Sequence, residues 1–263
     1  MNIDSKNKRV LVISDIHQSV DALECIVKKE NYDEIVCLGD WFDSFFYDSD
    51  YHVERTCEFL NTWMFKDNFH TTWGNHDLPY FYINKHVLCS GYSPDKDTLI
   101  RDHLGDLFFP IRDKFEWYIW IDDRLCSHAG INPNHLPPRF ELNKNNISSW
   151  LDKEIETAKI NLSSGNPWWL YNAGRGRGGN QMFGGITWQD FQSEFEPIDD
   201  LKQIVGHTVG KKVIGHWREG NISVTESNNL NIDCHLGEYL IISNGNVSIK
   251  KYSDLSTTPR LKP

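Results

Sequence analysis

Five short stretches of this 263-residue chain place carboxylate, imidazole and amide side chains beside small residues. They are Ser14-Asp15-Ile16-His17, Gly39-Asp40-Trp41-Phe42-Asp43, Gly74-Asn75-His76-Asp77, Ser127-His128-Ala129-Gly130 and Gly206-His207-Thr208. Each one alone reads as a turn or a helix cap, because Asn, Asp and Gly favour such positions by themselves. Together they form a donor set. Acids and imidazoles gathered in one crevice are costly unless neutralised, and metal cations are the obvious neutralising partner. Mixed His/Asp/Asn ligation suits Mn, Fe or Zn better than a hard-oxygen calcium site, and the donors suffice for two ions.

For the clusters to meet, something must carry them to one place. Each follows an apolar run. Residues 9–14 (RVLVIS) and 34–39 (EIVCLG) read as strands buried on both faces, and 69–73 (FHTTW) as a third. Between them, Val20, Leu23, Ile26 and Val27 fall on one helical face, and Val53, Cys57, Leu60, Trp63 and Met64 on another. This βαβαβ order implies parallel strands with right-handed crossovers, whose carboxyl ends make the usual ligand crevice.

Further along, residues around 117–126 read as a hairpin turning at Asp122-Asp123, and a helix is expected from Ser149 to about Ile160. Thr187 is a candidate N-cap for a short helix, with Asp190 three residues on. The last quarter is strand-rich, with a turn at Asn244-Gly245. The chain therefore reads as one α/β domain over 1–252, with a Gly/Arg/Trp-rich surface loop at about 162–185 and a polar tail at 253–263.

The formal net charge is −10, which argues against a nucleic-acid duplex as general partner, because such binding rests on a basic face. The six scattered cysteines include no C-x-x-C pair, so reduced, buried thiols are expected. The polar start MNIDSKNK lacks a signal-peptide apolar region, and no apolar run nears the ~20 residues of a membrane span. A soluble, cytoplasmic protein is the resulting expectation.

The ordered set SDIH, GDWFD, GNHD, SHAG and VGHT resembles the calcineurin-like metallophosphoesterase superfamily, most closely its phosphoprotein-phosphatase branch, over roughly Arg9 to Asp233. The resemblance implies a four-layer α-β-β-α sandwich with two mixed central sheets and a binuclear metal site at the strand carboxyl ends. By motif, Asp15 and His17 would bind one metal and Asp40 would bridge both. Asn75, His128 and His207 would complete the second site. His76 would sit over the phosphate as general acid, oriented by Asp43, while a metal-bound hydroxide attacks phosphorus. Asp77 would be structural. His216 is an alternative to His207, which fits the pattern better, and Asp233 and His235 are read as structural.

One departure stands out. Many members of that branch carry an arginine directly after the second motif's acid, where this chain has Ser44 followed by Phe45-Phe46. The loop segment PWWLYNAGRGRGG supplies candidate phosphate-binding arginines, Arg175 and Arg177, with Arg175 slightly favoured and Asn75 assisting. Trp168, Trp169 and Tyr171 are read as anchors of that loop on the core rather than as stacking surfaces. The resulting function is hydrolysis of phosphomonoesters on a protein or a small molecule. Dinucleoside polyphosphate hydrolysis is the alternative enzyme reading, and a catalytically silent scaffold the alternative of another class.

Overall fold

The computed structural model describes residues 1–46 and 49–255. Two sheets lie face to face. The first runs along the chain as β2 (Arg9–Ile13), β3 (Glu34–Cys37), β4 (Phe69–Thr71), β10 (Glu238–Ser243) and β11 (Asn246–Lys251), in the spatial order β11-β10-β2-β3-β4. The second contains β1 (Asn2–Ile3), β5 (Ile119–Ile121), β6 (Arg124–Cys126), β7 (Lys202–Val205), β8 (Ile214–Gly215) and β9 (Asn229–Asn231), in the order β1-β5-β6-β7-β9-β8. Both are mixed. Strands β2, β3 and β4 are parallel, as are β6, β7 and β9, whereas β10 joins β2 antiparallel.

Alternation along the strands makes the layers. Val10, Val12 and Val36 on one sheet and Ile119, Ile121 and Ile204 on the other fill a shared core between the sheets. Their neighbours Leu11, Ile13 and Ile35 point the other way, into a cluster with Leu23 and Ile26 of helix α1 (Val20–Lys29) and Cys57 and Leu60 of α2 (Asp50–Trp63). On the far side, Trp120 and Leu125 belong to the cluster that holds Ile147, Leu151 and Ile155 of α6 (Lys144–Ser163). The period-two pattern of a strand thus feeds two cores at once, giving the expected helix-sheet-sheet-helix stack.

Three short helices, α3 (Leu78–Phe81), α4 (Pro94–Leu104) and α5 (Phe108–Arg112), connect β4 to β5. The hairpin at Asp122 forms as expected: Asp122 takes a left-handed φ of 55°, and its carboxylate accepts from the N–H and hydroxyl of Ser5. Asn244 and Gly245, at φ 50° and 74°, turn β10 into β11. Helix α6 begins five residues earlier than Ser149, because the Asn143 side chain caps it by accepting from the Asn146 N–H at 2.9 Å.

The helix expected at Thr187 does not form; the segment makes successive turns. The Thr187 hydroxyl donates to the Leu170 carbonyl instead of accepting a backbone N–H, and Asp190 closes a local turn by accepting from the N–H groups of Gln192 and Ser193. Of the expected polar tail, Tyr252–Asp254 form a 3-10 turn with Tyr252 buried, and residues 256–263 lie outside the described residues. Among the described residues, no helix is long and apolar enough to cross a membrane. All six cysteines are free.

Candidate active site

Because β2, β3 and β4 run parallel, as do β6, β7 and β9, the residues that follow them emerge on one edge of the sandwich. Asp15 follows β2, Asp40 follows β3, Asn75 follows β4, His128 follows β6 and His207 follows β7. The backbone there is unusual. Asp15, His17, Asp40, Asp43 and His207 all adopt left-handed φ between 42° and 67°, a region uncommon for non-glycine residues and here gathered at one edge. Neighbouring loops hold it in place. The His17 N–H donates to the Asp40 carbonyl at 2.7 Å, the His76 N–H to Asp40 Oδ1 at 2.8 Å, and the His207 N–H to Asp15 Oδ2 at 3.1 Å. A Cβ on Gly74 would overlap the Asp40 carboxylate, and one on Gly206 would overlap Asp15, so glycine is required where strand ends pass this closely.

Buried Asp77 braces the bottom of the cage. Its carboxylate accepts from the N–H groups of Asp40, Trp41 and Gly74 at 2.7–2.9 Å. It has the structural role expected of it, tying the second motif to the third.

Two groups of donors converge, Asp15/His17/Asp40 and Asp40/His128/His207, each with its ligand atoms within 4.8 Å of one another, and Asp40 belongs to both. Asn75 joins the second group. His128 Nε2 lies 3.0 Å from Asn75 Oδ1, 3.2 Å from His207 Nδ1 and 3.3 Å from Asp40 Oδ2. Atoms bound tetrahedrally to one cation at ordinary metal–ligand lengths are roughly 3–3.5 Å apart, so this spacing fits a shared ion. The ring orientations fit as well. Nδ1 of His128 sits 2.7 Å from the Leu38 carbonyl and Nδ1 of His17 3.1 Å from the Phe42 carbonyl, which fixes Nδ1–H as donor and turns each Nε2 lone pair inward. Among the described residues, Asn75 Nδ2 and His207 Nε2 are buried without a hydrogen-bond partner.

The electrostatics point the same way. Burial, the largest influence on Asp40, would raise its pKa, but His128, His76 and His17 outweigh it and hold the carboxyl well below its ordinary value. Burial alone would depress His128, yet Asp40 and Asp15 lift it to about 9. Burial pushes Asp15 up to about 6, and burial, then His128 and Arg177, drive His207 well down. A cluster that needs a proton on one imidazole to balance one acid, and keeps a second imidazole neutral, offers a cation the same balance with the lone pairs free.

His76 stands beside the cage. Its Nδ1 is 3.0 Å from Asp43 Oδ2, leaving Nε2 for whatever occupies the cleft that His76 lines. Burial would lower the His76 pKa, but Asp40 and the Asp43 hydrogen bond overcome it and raise it well above the ordinary value. Asp43 is itself gripped by the Tyr80 hydroxyl and by Lys96 Nζ at 2.8 Å.

A model of the calcineurin-like phosphoesterases matches residues 8–211. The chain belongs to that family. This phosphoesterase is accordingly a metal-dependent hydrolase of phosphoric esters. Its fold is similar to the cold-active protein-tyrosine phosphatase of a psychrophilic Shewanella species, at 17% identity and a TM-score of 0.57, covering 95% of this chain and 80% of that one. It is also similar to a protein serine/threonine phosphatase of Saccharomyces cerevisiae, at 12% identity and a TM-score of 0.55, covering 94% and 82%. None of the curated proteins matches the chain.

The cleft over the cage of this phosphoesterase holds about 590 Å³. Arg177 lines it, held by an ion pair with Asp190 Oδ2 at 2.9 Å (off-angle for a hydrogen bond) and by donation from Nη2 to the His207 carbonyl and the Thr208 hydroxyl at 3.2 Å. Arg175 is exposed and is not among the lining residues. The loop is anchored on the core as expected. Trp169 stacks on Trp150 at 5.5 Å, its Nε1 donates to Glu154 at 2.5 Å, and Tyr171 is fully buried.

Residues that the motifs do not mark, or mark only as structural, also reach the cleft, among them Asp233, His235, Trp188 and Cys89. Asp233, which follows β9 as the other acids follow their strands, lines it with His235, and burial, then Asp15, raises Asp233 to about 7. Trp188 lines it 5.5 Å from the His207 ring, and Cys89 Sγ lies 3.5 Å from His76 Nδ1. The strand-end position was a usable signal for Asp233. Nothing comparable marks Trp188 or Cys89. His216 is buried away from the cage, with Nε2 3.1 Å from the Phe195 carbonyl and Nδ1 accepting from the Arg218 N–H.

Proposed function

We propose that this phosphoesterase hydrolyses phosphomonoesters at a two-cation centre that shares Asp40. The observation that carries the reading is the pair of donor groups meeting at Asp40, with His76 held beside them by Asp43 in the same cleft. Asp15 and His17 would hold one ion, Asn75, His128 and His207 the other, with Mn, Fe or Zn as the fitting metals. When bound, the ions would neutralise phosphate oxygens and acidify a water.

The chain's own residues supply the rest. Asp43 keeps the His76 ring oriented with Nδ1–H directed at its carboxylate, so that Nε2 can carry a proton toward the departing oxygen. Lys96 and Tyr80 keep Asp43 from moving. Arg177, anchored on the carbonyl of His207 and lining the same cleft, would give a phosphate oxygen a second cationic contact. Substrates would be phosphorylated proteins or small phosphate esters, and the free thiols fit a reducing cytoplasm.

His76→Asn, which keeps an Nδ1-like donor and removes the acid, is expected to lower kcat roughly 10²–10⁴-fold while the protein retains its metal. Loss of both ions in that variant on elemental analysis would refute the assigned role.

A further inference from the structure

Exposed apolar side chains stand beside the polar His86, Ser90 and His235 at the rim of the cleft, above a charged floor. Phe45 is 62% exposed, Leu88 51% and Val209 49%, and all three line the cleft with Trp188. They come from four separate loops. Phe45 is the one nearest the chemistry. Its ring centroid lies 5.3 Å from that of His17 and 5.7 Å from that of His76, edge-on to both.

That position matters because His76 can protonate only an oxygen departing on its own side. The group bonded to that oxygen must therefore leave past Phe45. A serine or glycerol carbon is too short or too polar to cover an exposed phenyl ring. A ring attached directly to the bridging oxygen reaches it. Aromatic pairs prefer offset or edge-to-face contacts with centroids 4.5–7 Å apart, the same geometry Phe45 already makes with the two imidazoles. Covering a ring that otherwise faces water is favourable in itself.

We propose that Phe45 is a specificity-determining residue that selects aryl phosphomonoesters, in which a phenol oxygen carries the phosphate. The proposal rests on the phosphomonoesterase reading above. Phe45 would hold the aryl ring of bound substrate, with Leu88 lining the same cleft, and would contribute nothing to holding the phosphate itself.

The test compares the full-length, Mn²⁺-loaded enzyme on two peptides of identical flanks, one with phosphotyrosine and one with phosphoserine. Phe45→Ala is expected to lower kcat/KM for the phosphotyrosine peptide about tenfold, mainly through KM, and for the phosphoserine peptide by no more than about threefold. Phe45→Tyr should restore the phosphotyrosine peptide to within about threefold of the wild type. Inhibition by inorganic phosphate should be little altered by either substitution. Equal losses on both peptides, or none on either, would overturn the role of Phe45 and leave the phosphomonoesterase reading standing. Cleavage of diadenosine tetraphosphate in preference to both peptides would overturn the aryl-ester assignment. No hydrolysis of any ester by the wild-type protein would overturn both readings at once.

Discussion

The donor cage and the arginine loop line one cleft, yet they are held by different means. The cage is a set of strand ends. Each donor follows a strand already fixed by the sheet, and neighbouring loops are laced by backbone hydrogen bonds such as His17 N–H to the Asp40 carbonyl. The loop that carries Arg177 has no strand to hold it. Beyond the Trp169 and Tyr171 anchors, its glycine-rich part is gathered by one buried carboxylate, Glu194, which accepts from the N–H groups of Gly176 at 2.6 Å, Gly184 at 2.8 Å and Asp190 at 3.3 Å. Adding a Cβ to Gly174 would collide with that carboxylate. The cage adds a similar carboxylate brace, Asp77, to strands that already hold its loops, whereas the glycine-rich stretch leans on Glu194 without them.

The contrast can be broken at its strongest point first. Asp40 belongs to both donor groups, so Asp40→Asn should empty both metal positions together and cut kcat/KM by roughly a thousandfold or more. Retention of one full equivalent of metal in that variant would mean that Asp40 serves a single ion.

Glu194→Ala is the matching change in the loop. It leaves the cage donors untouched and frees three backbone N–H groups, so metal content should stay at the wild-type level. Displacing Arg177 should lower kcat/KM by about ten- to a hundredfold. Metal loss equal to that of Asp40→Asn would show the two regions to be one cooperative unit. A finer cut is Arg177→Ala, expected to raise KM for a phosphate ester about tenfold, against less than about twofold for Arg175→Ala. Reversal of that order would put Arg175 at the phosphate.

The smallest effect concerns the loop's anchor. His135 packs on Trp169 with centroids 4.5 Å apart, and its Nδ1 accepts from the Asn132 N–H. Burial lowers its pKa from 6.5 to about 4. Above pH 6.5 the ring is neutral in folded and unfolded chains alike, and it adds no pH dependence. As pH falls toward 4 only the unfolded chain takes up the proton, so stability declines by no more than about 3 kcal/mol over that window. His135→Gln should flatten this limb of a denaturation series run from pH 7 to pH 4. An unchanged slope would remove His135 from the account.

The same contrast explains what could be read from the sequence. Acids and imidazoles at the ends of apolar runs were visible because strand burial and parallel order are local patterns, and these place Asp15, Asp40, Asn75, His128 and His207 on one edge. The left-handed backbone at Asp15, Asp40 and His207 left no signal beyond nearby glycines. Lys96 reaches Asp43 from α4, whose buried face is only Ile100 and Leu104. So weak a stripe hides a helix, although Ser93 and Pro94 mark its start. The capping pattern at Thr187 does not make a helix, because its hydroxyl bonds the Leu170 carbonyl instead. Glu194 was invisible, since nothing in a sequence says which distant N–H groups a buried acid will collect.

The proposed centre places Asp40 between two cations. Anomalous diffraction from crystals of the wild-type protein grown with Mn²⁺ tests it most directly. Two peaks are expected about 3.5–4 Å apart, one beside Asp15 and His17 and the other beside Asn75, His128 and His207, with the Asp40 carboxylate touching both. A single peak, or peaks away from Asp40, would contradict it.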